Sequence, residues 1–178
     1  MPTASDLTQV IILGASGDLT ARKLVPAVYA AHCQHLFSTR VQLVGVARRP
    51  WDDAFFRQHL TTNAPKMTMC SYDSWEEFLK LTSYVQTHLE TRDDFEVLAK
   101  KLDALAGCPV NRVFYLAVKP ELFLTSVQNL HAVGLLDLAR FGAGDNDRPQ
   151  ACRPEPVCKL HPTPVSYTHL TLPTNREV

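Results

Sequence analysis

The sequence predicts an α/β fold, a doubly wound parallel sheet with helices on both faces. Three observations carry that reading. Residues 9–14, 41–47 and 112–118 are short runs dominated by apolar, often β-branched residues that do not alternate with polar ones, the pattern of strands buried on both faces. Segments with helical spacing of apolar residues separate these runs, so successive strands are joined by crossovers and not by tight hairpins. Finally, 178 residues with 46% apolar and 20% charged content match a soluble globular chain of about one core.

Each element has its own justification. Val10–Leu13, led by Thr8 and Gln9, ends at Gly14 and forms the first strand. A helix follows, which Asp18 can cap. Leu24, Ala27, Val28 and Ala31 give it one apolar face, and Pro26 implies a break or restart near Val25. Val41–Ala47 is the second strand. Trp51–Leu60 and Ser74–Leu81 read as helices, the latter opened by the capping box of Ser74 and Glu77. A weaker strand lies at Ser83–Gln86. Thr91 can cap a helix running to about Leu105, with Phe95, Leu98, Ala99, Leu102 and Leu105 on one stripe and a stop at Gly107 and Pro109. Arg112–Val118 is the strongest strand signal. Pro120 fits the first turn of a last helix, with Phe123, Val127 and Leu130 facing inward and Gly134 ending it.

Charge and composition remove several functions. With 18 basic and 18 acidic residues the net charge is zero, so neither a nucleic-acid nor a membrane-surface partner is expected. No apolar stretch approaches the ~20 residues of a spanning helix, and the start has no leader pattern. Five scattered cysteines without a C-x-x-C pair suit neither a zinc ribbon nor a disulfide framework, which makes a reducing, cytoplasmic setting the expectation. His32 and His35, three apart, lack a third ligand, so no metal site is assigned.

Residues 1–141 form the predicted domain. From Gly142 onward the periodicity stops, and residues 142–178 hold six prolines between Pro149 and Pro173, the composition of a non-globular tail. Val165–Thr174, VSYTHLTLPT, resembles an in-frame translation of a sequencing-library adapter, so this tail is expected to be frameshift- and adapter-derived. The competing reading is a natural disordered tail, in which Cys152, Cys158, His161 and His169 match no zinc spacing.

In open parallel sheets ligands bind beyond the carboxyl ends of the strands, and the first such turn is Gly14-Ala15-Ser16-Gly17-Asp18-Leu19. Gly14 lets the chain leave the strand sharply, and Gly17 lets backbone approach a diphosphate. The N–H groups of residues 16–19 are unpaired helix donors aimed at the anion. The third glycine of the dinucleotide fingerprint is missing, since Thr20 stands in its place. A plain glycine turn capped by Asp18 is the competing reading. Where NAD-preferring proteins of this Rossmann-like fold carry an acid, the second strand ends Gly45-Val46-Ala47-Arg48-Arg49. An arginine fork suits a 2′-phosphate, so the inferred cofactor is NADP.

These residues also carry a resemblance. The Val10–Ala27 motif, the G-V-A-R of residues 45–48 and the N-R-V-F-Y-L-A-V of residues 111–118 resemble the amino-terminal coenzyme domain of the glucose-6-phosphate dehydrogenase family over roughly Thr8–Ala139. The resemblance implies oxidation of glucose 6-phosphate to 6-phosphogluconolactone, with hydride transfer to NADP, in a cytoplasmic homo-oligomer of the pentose phosphate pathway. It places the diphosphate on Gly14–Leu19, the 2′-phosphate on Arg48, and Tyr115 near the coenzyme. The family's paired prolines after this strand are Lys119-Pro120 here. Its substrate-binding Glu-Lys-Pro and its Arg-Ile-Asp-His-Tyr segment are not found, and the large substrate domain is absent, so no catalytic base is assigned and the fragment is expected to be inactive. Two other classes stay open: a different NADP-binding reductase, for which a Tyr-x-x-x-Lys following the fourth strand is lacking, the Tyr115 to Lys119 spacing beginning inside that strand, and a non-enzymatic nucleotide-sensing module.

Overall fold

A computed structural model describes residues 7–64, 72–106 and 110–136. The 142–178 tail and the Gly107–Pro109 helix stop lie outside the described residues.

Four strands form one parallel sheet: β1 (Leu7–Leu13), β2 (Arg40–Ala47), β3 (Thr82–Gln86) and β4 (Asn111–Leu116), in the order β3-β2-β1-β4. The chain winds outward from β1 through β2 to β3, then returns to the other side of β1 for β4. The switch of direction lies between β1 and β4, where Ile12 pairs with Tyr115 and Leu13 with Leu116. In such sheets that is where the crevice opens at the carboxyl ends.

Helices cover both faces. On one, Tyr29 of α1 (Val25–Cys33), Phe56 and Leu60 of α2 (Asp53–Asn63) and Phe78 of α3 (Tyr72–Lys80) pack with Ile12 and Leu43. On the other, Phe95, Leu98 and Leu102 of α4 (Arg92–Ala106) and Leu130 of α5 (Phe123–Ala132) pack with Ile11, Leu13, Val44 and Val46. Ile11, Leu13, Val44 and Val46 are all fully buried, which is why these strands read as continuous apolar runs.

Pro26 acts as the sequence suggests. Thr20–Leu24 form a short π-helical stretch, and the Val25 N–H reaches back to the Thr20 carbonyl before α1 begins with proline in its first turn. The wider turn carries the helix past the donor that proline lacks. Asp18 does not cap this helix. It lies inside the first turn and pairs with Arg22 at 2.7 Å, the i,i+4 arrangement. Nor does α3 open at Ser74: it starts two residues earlier, and Glu77 is bound to Lys80. Asp52 is the N-cap of α2, accepting the Phe55 N–H at 2.7 Å.

The two sheet edges differ. Along β3, α2 supplies partners for the outer main-chain groups: Asp53 accepts the Tyr84 N–H at 2.6 Å, and Arg57 donates to the Thr82 carbonyl at 2.7 and 3.2 Å. Such cover protects an edge strand. β4 is shorter than predicted and is not buried on both sides, with Val113 46% and Tyr115 42% exposed. In α5 the inward positions are Ser126 and Leu130, while Phe123 is largely exposed because a 3₁₀ turn at Pro120–Leu122 rotates the helix start. Gly134 ends the helix with φ +74°. Cys33 is disulfide-bonded, contrary to the reading of a chain without disulfides. Among the described residues no helix is long and apolar enough to cross a membrane.

Candidate coenzyme site

Gly14 is where β1 stops. Its φ of +91° is a conformation that L side chains rarely adopt, so the sharp exit from the strand requires glycine. Space demands glycine as well. A Cβ there would lie 2.3 Å from the Ala117 carbonyl oxygen and 2.9 Å from Val118 Cγ1. The end of β4 therefore rests directly on the turn, held by the Ala117 N–H donating to the Leu13 carbonyl at 2.8 Å. On the other side the Gly14 and Ala15 N–H groups donate to the Val46 carbonyl at 2.7 and 3.1 Å. Three strand ends thus fix the start of the turn.

Beyond Ala15 the turn opens outward. Ala15 is fully buried, Ser16 half-buried, and Gly17, Asp18 and Leu19 are exposed at the start of the helix. One correction applies to the set of free donors. The Gly17 N–H closes the turn on the Gly14 carbonyl at 3.0 Å, leaving the first-turn N–H groups beyond it as the ones without an intrahelical partner. Gly17 needs no unusual φ, and a Cβ there would meet only the Gly14 carbonyl oxygen, at 3.2 Å. Its value is the open surface it leaves. The Asp18 carboxylate, ill suited to a diphosphate by charge, is offset by its pairing with Arg22.

Arg48 follows directly on β2 at the same edge of the sheet, exposed, and its side chain makes no ion pair or hydrogen bond among the described residues. Arg49 is committed elsewhere: its guanidinium lies over the Trp51 ring, 5.2 Å from the centroid. Tyr115 sits inside β4 beside Ile12, and the backbone that touches Gly14 is that of Ala117.

Some of the residues that build this site carry only a faint sequence signal. Gly45, inside β2, gives way to the Phe56 ring and to Ala15: a Cβ there would lie 2.5 Å from Phe56 Cζ and 2.9 Å from Ala15 Cβ. A glycine within a strand run is the available hint of such close approach. The Tyr84 hydroxyl, on β3, has the carbonyls of Ala47 and Arg49 within reach at 3.0 and 2.8 Å and shares its one proton between them. Burial pushes its phenol up to about 12, with Arg49 opposing, so the hydroxyl remains a donor. His59 of α2 packs against Trp51 with ring centroids 4.8 Å apart and the planes tilted by 45°. Burial and then the Arg49 charge hold its imidazole below the ordinary value, while Asp18 pulls the other way. His88, just after β3, pairs with Asp94 at 2.7 Å, and His131, in the last turn of α5, lies 3.0 Å from the Leu136 carbonyl.

Comparison with known proteins identifies the family of the chain. The family model described as "Glucose-6-phosphate dehydrogenase, NAD binding domain" matches residues 11–142. Glucose-6-phosphate 1-dehydrogenase of Bacillus subtilis is 30% identical over 126 residues, covering 71% of this chain and 26% of that protein. Glucose-6-phosphate 1-dehydrogenase 2 of Mycobacterium bovis is 33% identical over 141 residues, covering 76% and 27%. A solved glucose-6-phosphate dehydrogenase in complex with its substrate superposes with a TM-score of 0.66 at 26% identity, covering 75% of this chain and 29% of that one. The chain spans about a quarter of the length of these relatives. It belongs to the glucose-6-phosphate dehydrogenase family, and the residues that show it are those of the family's coenzyme-binding domain.

Proposed function

We propose that this chain binds NADP across the carboxyl edge of its sheet and that the whole protein oxidises glucose 6-phosphate to 6-phosphogluconolactone. The observation that carries the reading is the Gly14 turn, packed against the ends of β2 and β4 at the point where the strand order changes direction. The residues fit a dinucleotide there. A side chain at Gly17 would fill the open surface of the turn, and the first-turn N–H groups beyond it present donors and positive dipole to a diphosphate. Arg48 supplies a charged, bidentate partner for a ribose 2′-phosphate, and β2 offers no acid at that place to hold a free ribose diol. Tyr115, exposed on β4, would lie beside the bound coenzyme.

The coenzyme, when bound, supplies the hydride acceptor. This chain's own part is to bind, orient and neutralise the phosphates. Hydride loss from a sugar also needs a base to take the hydroxyl proton. The sequence holds no Arg-Ile-Asp-His-Tyr segment, and no base is assigned among the described residues. The chain alone should therefore bind NADP without turning over glucose 6-phosphate. In the whole protein we expect a cytoplasmic homo-oligomer with neither nucleic acid nor membrane as partner.

Titration of NADP and NAD into the chain and into Arg48→Ala tests the reading. Losing a charged hydrogen bond to the 2′-phosphate costs roughly 1.5–3 kcal/mol, about 10- to 150-fold in NADP affinity, with NAD nearly unchanged. Equal weakening of both coenzymes would remove Arg48 from the 2′-phosphate, and failure of the unaltered chain to bind either would remove the site.

A further inference from the structure

We infer that Tyr84 is a positioning residue for coenzyme selectivity: its hydroxyl, set between the main-chain carbonyls of Ala47 and Arg49, fixes the backbone from which Arg48 reaches a ribose 2′-phosphate. This rests on the coenzyme reading above and adds to it a residue on a strand that does not form the glycine turn.

Three consecutive carbonyls leave the end of β2, and β3 binds all of them. The Ala47 carbonyl accepts from the Tyr84 hydroxyl at 3.0 Å and the Thr87 N–H at 3.0 Å. The Arg48 carbonyl accepts from Gln86 Nε2 at 3.2 Å. The Arg49 carbonyl accepts from the Tyr84 hydroxyl at 2.8 Å and the Trp51 N–H at 2.9 Å. One hydroxyl, its single proton shared between two acceptors, thus sits between the residues on either side of Arg48. A phosphate dianion arriving at this loop meets carbonyl oxygens whose lone pairs already face donors, which lessens their repulsion.

The hydroxyl can act as a fixed point because Tyr84 is itself held. Its main-chain N–H is bound by Asp53 Oδ1 at 2.6 Å. Its ring lies 5.2 Å from Phe56 and 5.8 Å from Trp51, and the residue is 7% exposed. With Arg49 over Trp51, Arg48 is the arginine of the pair left to reach outward. A long arginine side chain loses rotamer freedom when it binds, and a fixed Cα limits that loss to the side chain itself.

Tyr84→Phe separates this role from packing. The ring stays, and both carbonyls keep a second donor, Thr87 N–H for Ala47 and Trp51 N–H for Arg49, so no buried acceptor is stranded. The experiment titrates 2′,5′-ADP and 5′-AMP into the chain, Tyr84→Phe, Arg48→Ala and the double variant. Expected is a rise of about three- to tenfold in Kd for 2′,5′-ADP, the scale of one neutral hydrogen bond, with 5′-AMP unchanged. The double variant should bind no more weakly than Arg48→Ala, because the hydroxyl acts through that arginine. Tyr84→Phe binding 2′,5′-ADP as the unaltered chain does, or losing both ligands alike, or adding its full loss to that of Arg48→Ala, would overturn the inference and leave the coenzyme site standing. An unaltered chain that shows no preference for 2′,5′-ADP over 5′-AMP would overturn both.

Discussion

Replacing Gly14 with alanine tests the steric argument for the turn. The added Cβ would lie 2.3 Å from the Ala117 carbonyl oxygen and 2.8 Å from its carbon, whereas real Cβ atoms essentially never approach within 3.0 Å. Either β4 or the turn must therefore move by at least about 0.7 Å. Such a shift pulls on the Ala117 N–H bond to the Leu13 carbonyl, 2.8 Å long, and on the two bonds that Gly14 and Ala15 make to Val46. Weakening one or two of these costs about 1–2 kcal/mol. Alanine at φ +91° adds roughly 1–2 kcal/mol of backbone strain. The expected loss is about 3 kcal/mol out of a total of order 5–15, a fall of roughly 10 °C in Tm for a domain of this size. Circular dichroism melts read it directly. Gly17→Ala is the contrast: with no positive φ and its nearest contact at 3.2 Å, it should cost under about 1 kcal/mol yet weaken NADP binding by placing a methyl on the exposed turn. A Gly14→Ala melt within about 2 °C of the unaltered chain, or a larger thermal loss from Gly17→Ala, would refute the reasoning.

Two further predictions concern α2. Arg57→Ala removes both donors to the Thr82 carbonyl on the β3 edge and should cost about 1–2 kcal/mol, a value discounted because the side chain is partly exposed. Urea unfolding should show a lower midpoint with an unchanged m-value, and an unaltered midpoint would mean that Arg57 does not hold the edge. His59 has an imidazole held below the ordinary value near 6.5, chiefly by burial. Between its folded value and 6.5 the unfolded chain binds more protons, so stability is complete above 6.5 and falls as the pH drops through that window. His59→Phe keeps a ring against Trp51 and removes this slope. Melts from pH 7.5 to 5 should therefore converge or cross, and parallel curves would exclude His59 as the source.

How much was legible follows from how each feature is encoded. Strands β1 and β2 are buried on both faces, so their continuous apolar runs announced them, and Pro26 correctly marked the place where the helix changes form. Gly14 was legible because the need for positive φ leaves few residue choices. Misreadings came where a residue type has two common uses. Asp18 is as good an ion-pair partner as an N-cap, and a chain that already has Arg22 four residues on along the helix satisfies the carboxylate that way. Glu77 near Ser74 matched a capping box, but a lysine three residues later claimed the carboxylate, and the helix had started before the serine. Period alone puts Phe123 inside, whereas the 3₁₀ turn at Pro120–Leu122 changes which residues face the sheet. Cys33 gave no sign of its disulfide, because a pairing made in space leaves no trace in an odd, scattered count.

The support of the candidate site was hidden for a related reason. Arg48 could be singled out because its place follows from the end of a strand, a position that sequence pattern locates. Tyr84 and Gln86 act on that loop from β3, some forty residues later, and alternate residues of a strand share one face only once register is fixed. Val46 pairing with Val85 and Ala47 with Gln86 sets that register, and a slip of one residue would swing both side chains to the opposite face. Asp53 and Phe56 on α2 then hold Tyr84 at its N–H and its ring. The glycine turn is a local code, while the loop proposed to set coenzyme choice depends on pairing across strands. For that reason Asp53→Ala, which removes the acceptor of the Tyr84 N–H, should in the same titration raise the Kd for 2′,5′-ADP more than that for 5′-AMP, and equal changes in both would refute the link.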